Sequence, residues 1–209
     1  MRVLRITLLC AVGMLVAGCA EMAERPSEAK FKECFGQLNA KFESAYERIL
    51  AERGTRSFAV PPSVAYDSLN AALTRLGMIG EMRDRYTGTL TVAAPAPKPL
   101  SDAEWQEVVD ADKPLMASVL CPCLGAYCLK LKFEPQDYVI VINATVLPGP
   151  NGGSQVSLTT RMREIVPRPG VPRRDYPPPT GVRMALNKIW SAFDRALAAR
   201  QTGTTGTRR

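Results

Sequence analysis

The stretches YVIVINATVL (138–147), PGPNGG (148–153) and SQVSLTTRM (154–162) decide the fold. Apolar residues occupy both parities of 138–147, the pattern of a central strand. The proline- and glycine-rich hexapeptide turns the chain, and Val156, Leu158, Thr160 and Met162 then alternate with polar neighbours along a return strand. Just upstream, Leu129, Leu131 and Phe133 alternate with Lys130, Lys132 and Glu134, which predicts a half-buried strand and completes an antiparallel meander. Further back, Thr87–Ala93 carries Leu90 and Val92 between threonines, and it pairs with Met78–Arg83 around Asp84-Arg85-Tyr86. Ser57–Val60 reads as a short strand that Pro61-Pro62 ends.

Helices surround these strands. Phe31, Phe35, Leu38, Phe42, Ala45 and Ile49 recur at steps of three and four, so residues 27–53 form a helix capped by Ser27 and ended by Gly54. Phenylalanines are bulky for a coiled-coil seam, and the stripe is expected to pack on its own domain. Ser63 opens a second helix with Val64, Leu69, Ala72, Leu73 and Leu76 on one face, ending at Gly77. Ala94–Pro99 is expected to be a stiff polyproline connector. Ser101–Asp112 is a short helix with Ser101 and Glu104 as its capping box. After a proline- and arginine-rich loop (167–179), Thr180 opens a last helix carrying Val182, Leu186, Ile189, Trp190, Phe193 and Leu197. Residues 201–209 are small, polar and basic, and are expected to be disordered. The fold class is therefore α+β: an antiparallel sheet with the N- and C-terminal helices packed on one face, in a single domain spanning 27–200.

The first eighteen residues carry a different message. Arg2 and Arg5 precede an apolar run from Ile6 to Val16, too short for an ordinary spanning helix and typical of a secretory signal. The run closes on Val16-Ala17-Gly18-Cys19, which resembles the lipobox of bacterial lipoprotein precursors. The resemblance implies cleavage of residues 1–18, acylation of Cys19 and attachment to a lipid bilayer by more than one chain, which suffices for stable anchoring. Ala20, rather than Asp, after the cysteine implies in that family the outer membrane, on its periplasmic face. Residues 19–26 would then be a lipidated tether, whose seven residues after the cysteine reach roughly 25 Å at most. By element order alone, the body is similar to the helix-grip domains of the lipoprotein subunit called component C of the outer-membrane barrel-assembly machinery. No residue motif accompanies that similarity, and it carries over no functional residue.

The chemistry available is bounded by composition. The chain has no histidine, which removes Ser-His-Asp and Cys-His nucleophile systems and His-ligated metals. Its net charge is +7, or +5 without Arg2 and Arg5, which suits anionic headgroups but matches no nucleic-acid motif, and export argues against nucleic acid. With Cys10 in the signal and Cys19 lipidated, Cys34, Cys121, Cys123 and Cys128 remain for the body. In an oxidising compartment these suggest two disulfides, with Cys128 joined to Cys121 or Cys123 and Cys34 to the other. The rival reading is a thiol-based metal or redox site on Cys121, Cys123 and Cys128, although the spacing lacks a C-x-x-C.

Arg161, Arg163, Arg168, Arg173 and Arg174 cluster in and beside the proline-rich loop, as candidate contacts to an anionic ligand or else as solvated surface. Trp105 and Trp190 lie on helical stripes as core residues. Glu104, Glu107, Asp110 and Asp112 read as the surface of an exposed helix, and a carboxylate-dependent cell-wall hydrolase built on such groups ranks last. The expectation is a membrane-anchored envelope lipoprotein that acts as a non-catalytic binding or assembly component, with an envelope protein or an anionic glycolipid as partner and no cofactor or metal.

Overall fold

The computed structural model describes residues 26–166 and 175–205, so the lipobox, Cys19 and the tether through Arg25 lie outside the described residues. In chain order these residues form α1 (Glu28–Arg53), β1 (Thr55–Phe58), α2 (Pro62–Arg75), β2 (Ile79–Asp84), β3 (Thr89–Pro95), α3 (Asp102–Leu124), β4 (Tyr138–Pro148), β5 (Ser154–Glu164) and α4 (Pro179–Thr205). The strands make one five-stranded antiparallel sheet in the order β1-β5-β4-β3-β2, flanked by helices.

The hairpin at 138–164 lies where its pattern predicts. Ile142 sits opposite Thr160 of β5 and Val92 of β3, and the turn holds Asn151 and Gly152 at positive φ. Although β4 is apolar on both parities, the described residues cover only one of its faces. Ile140, Ile142, Ala144 and Val146 are buried, whereas Val139 and Val141 are half-buried and Asn143 and Thr145 are exposed. Against the buried face pack α2, α4 and the C-terminal half of α1, through Leu69, Leu73, Leu186, Ile189, Trp190, Phe193 and Ile49. At ~1.5–3 kcal/mol for each large apolar side chain fully buried, this core is the main source of stability. The open face is crossed by an ion pair from Arg163 on β5 to Glu81 on β2, at 2.9 Å.

Several elements depart from their predicted form. α2 begins at Pro62 rather than after Ser63, because the Pro61 carbonyl accepts from Val64 and Ala65 and no side-chain cap is used. The polyproline connector is not formed: Ala94 and Pro95 still pair in β3, and residues 96–99 fold into turns in which Lys98 N–H donates to Pro95 O and Leu100 N–H to Pro97 O. α4 continues to Thr205, into the segment expected to be disordered, because a helix already nucleated by packing adds one backbone hydrogen bond per residue.

Two corrections reshape the region between β3 and β4. The helix opened by Ser101 and Glu104 does not stop at Asp112 but runs through Pro114 and Pro122 to Leu124. An interior proline disfavours a helix by about 3 kcal/mol, and here tertiary packing and crosslinks override it. The strand expected at 129–134 is absent: residues 125–130 form a 3-10 turn, residues 131–134 have no strand partner, and Leu129 is 81% exposed. Gly125 permits the reversal, with φ +58 directly after α3. The Cys121–Cys128 bond then holds the start of this segment against α3, and residues 131–134 follow that helix instead of pairing in the sheet.

Candidate functional site

Away from the sheet, the N-terminal half of α1 and the C-terminal half of α3 form a second core. Cys34, Phe35, Leu38 and Phe42 of α1 bury against Leu120 and Leu124 of α3. Phe31 stacks on Phe35, with centroids 5.7 Å apart, and meets the edge of Tyr127 at 5.4 Å. Two disulfides complete this unit. Cys34–Cys123 ties α1 to α3, and Cys121–Cys128 folds the following turn back onto the helix. This is the pairing of Cys34 and Cys128 with the two close cysteines, and it consumes all four body sulfurs. A thiolate metal or redox site on Cys121, Cys123 and Cys128 would require both bonds to open first. Among the described residues, no group of three or more Cys, Asp or Glu side chains is placed to hold a metal ion.

Between α3 and residues 127–137 lies a cleft of about 1220 Å³, at or above the ~300–1,000 Å³ usual for small-molecule sites. One stripe of α3 forms its first wall: Trp105, Val109, Met116 and Leu120, with Gln106, Asp110 and Lys113 beside them. Steps of three and four keep these residues on one side of the helix. The opposite wall is the segment misread as a strand, from Tyr127 through Leu129, Leu131 and Phe133 to Asp137. Phe31, Phe35 and Leu38 of α1 close the disulfide end. At the other end the Phe133 ring stacks between Trp105, at 5.6 Å, and Tyr138, at 5.7 Å.

The polar groups of the cleft are unevenly used. Lys113, Lys130 and Lys132 are exposed and form no ion pair with any carboxylate among the described residues, although Lys130 lies 5.9 Å from the Tyr127 ring. Asp110 accepts from Gln106 Nε2 at 3.2 Å. The Trp105 indole N–H is buried in the wall without an acceptor among the described residues.

The other carboxylates singled out on α3 are not uniformly surface. Asp112 is buried and accepts from the N–H of Thr180 at 2.9 Å and from its hydroxyl at 2.7 Å. It thereby caps α4 from a neighbouring helix and places negative charge at a helix N-terminus. Glu104 pairs with Lys188 of α4 while completing its own capping box. Partial burial raises its pKa, but Lys188 and the Ser101 hydrogen bonds outweigh this, so the carboxyl sits below its ordinary value.

Of the five arginines proposed for an anionic ligand, Arg168, Arg173 and Arg174 lie outside the described residues. Arg163 is paired with Glu81. The Arg161 guanidinium is stacked 4.8 Å from the Tyr46 ring and 4.4 Å from the Tyr176 ring. Tyr176 in turn donates to Glu43. Partial burial lowers the Arg161 pKa, but contacts with Tyr176, Tyr46 and Asp175 overcome it and raise the value, so Arg161 is a clamp across the free edge of β5. Met162 N–H donates to Asp175 O along the same edge.

The lysines, Trp105 and the apolar stripe of the cleft were not grouped by sequence reasoning. A signal was present, because the three-four spacing of Trp105 and Val109 resumes at Met116 and Leu120 beyond Pro114. Comparison of the chain with family models, with curated proteins and with solved structures returns no match.

Proposed function

We propose that the chain is a membrane-anchored envelope lipoprotein and that its folded body is a non-catalytic binding or assembly component. In this reading residues 1–18 are removed, acylated Cys19 holds the protein on the periplasmic face of the outer membrane, and a helix-grip-like body presents a binding surface a short tether away. The observation that supports it most is the agreement between the Val16-Ala17-Gly18-Cys19 signal and a body whose four cysteines are all paired as disulfides. Such bonds form and persist in oxidising compartments outside the cytosol. The α3 cleft offers a binding surface, and a partner in the envelope, protein or anionic glycolipid, is its expected class of occupant.

The test is the intact mass of protein purified from membranes, taken with and without reduction before thiol alkylation. A mass of residues 19–209 plus acyl chains, with alkylation only after reduction, is the expected result. An unmodified Cys19 or freely alkylated body thiols would sink the reading.

A further inference from the structure

We infer that the α3 cleft is a binding site for an amphiphile with one long acyl chain and an anionic headgroup; the assignment rests on the proposed role as a binding component and names its ligand. The cleft is preformed. The Cys121–Cys128 bond and the Phe133 stack fix both ends of its second wall against α3, and Cys34–Cys123 holds α1 across the disulfide end, so its apolar surface does not close on itself. It is also long. From Trp105 to Cys121 the helical rise gives roughly 24 Å, against ~15 Å for one leaflet of a ~30 Å hydrocarbon core. An extended acyl chain fits along a trough of that length, between the apolar stripe of α3 and Leu129, Leu131 and Phe133.

The charges orient the ligand. Because Cys128 is bonded to Cys121 and Phe133 stacks on Trp105, residues 128–133 run back along α3. Lys130 therefore lies toward the disulfide end, with Lys113 along the middle and Lys132 beside Phe133, and none of the three has a carboxylate partner among the described residues. Asp110, Glu134 and Asp137 sit toward the Trp105 end. A carboxylate or phosphate headgroup is thus favoured over Lys113, Lys130 and Lys132, with the apolar walls left for the chain. A neutral lipid would leave those cations without a counter-charge.

Trp105 makes the site readable. The chain has two tryptophans, and Trp190 is 1% exposed in the other core. The full chain with Cys19→Ala, purified in its oxidised form without detergent, is titrated with dibromostearate below micelle-forming concentrations while tryptophan fluorescence is read. Saturable quenching is expected, and it should vanish in Trp105→Phe while the protein stays folded by circular dichroism. The double variant Lys113→Glu/Lys130→Glu should bind dibromostearate at least tenfold more weakly, yet bind the uncharged dibromostearyl alcohol as the parent does. Absence of saturable quenching, quenching that survives Trp105→Phe, or equal effects on acid and alcohol would each overturn the assignment. Binding by Cys19→Ala but not by the acylated protein would show that the protein's own acyl chain fills the cleft, which overturns a free ligand. An unlipidated Cys19 in membranes would defeat the lipoprotein reading while leaving this titration standing.

Discussion

Removing the two disulfides separately should destabilise the protein by clearly different amounts, because they close loops of very different length. Cys34–Cys123 spans a sequence separation of 89, and Cys121–Cys128 a separation of 7. In the loop-entropy treatment, with −2.1 − 1.5R ln n cal/mol/K of unfolded-state entropy removed per crosslink, these correspond to about 4.6 and about 2.4 kcal/mol at 25 °C. The variants Cys34→Ala/Cys123→Ala and Cys121→Ala/Cys128→Ala each keep one bond. Urea unfolding followed by far-ultraviolet circular dichroism measures both, and a common m-value is needed for the midpoints to be compared as stabilities. The long-loop variant should lose about twice as much. The short-loop variant should keep its helices, yet show faster hydrogen exchange in residues 125–133, because its bond holds the cleft wall rather than the core. Equal losses, or a larger loss for the short loop, would refute the reasoning. Either would mean that native contacts around each bond, and not the length of the loop closed in the unfolded chain, set the loss.

Asp112→Ala removes a buried acceptor of two hydrogen bonds from Thr180, and should lower stability by about 1–3 kcal/mol in thermal unfolding; Asp112→Asn should lose less. Glu104 has a folded pKa below its ordinary value of 4.5, so its contribution is present above that value and is lost as pH falls through the folded pKa. The fall in Tm on acidification below pH ~4.5 should therefore be shallower in Glu104→Gln than in the parent. Arg161→Lys keeps the charge but gives up the planar stack between Tyr46 and Tyr176, and should destabilise by about 1–2 kcal/mol in urea. An unchanged midpoint would mean that the stack is incidental.

Which parts of this structure were legible follows from how far each signal acts along the chain. The β4–β5 hairpin was readable because period-two patterning and its turn residues lie within one continuous segment, and the α1 stripe because its steps of three and four run unbroken from Phe31 to Ile49. Residues 129–134 show the same alternation as β5 and yet are not a strand. A strand of five or six residues needs a neighbour, and β4 already has β3 on one side and β5 on the other. Among the described residues the sheet edges left are β1, β2 and the stretch of β5 that β1 does not cover, and the bond from Cys128 to Cys121 holds this segment beside α3 instead. Alternation by itself therefore could not separate a sheet strand from a cleft wall; the disulfide connectivity does. The same connectivity carries α3 past Pro114, where local rules stop a helix, since a helix crosslinked to α1 at Cys123 and to the next turn at Cys121 gains more from packing than an interior proline removes. Four cysteines allow three pairings, and each gives the same local patterns in residues 121–134. The pairing of Cys34 with Cys123 and of Cys121 with Cys128 sets those patterns as two facing walls. The cleft is for this reason a property of the covalent connectivity more than of the hydrophobic pattern, and reduction should remove the binding site before it unfolds the sheet.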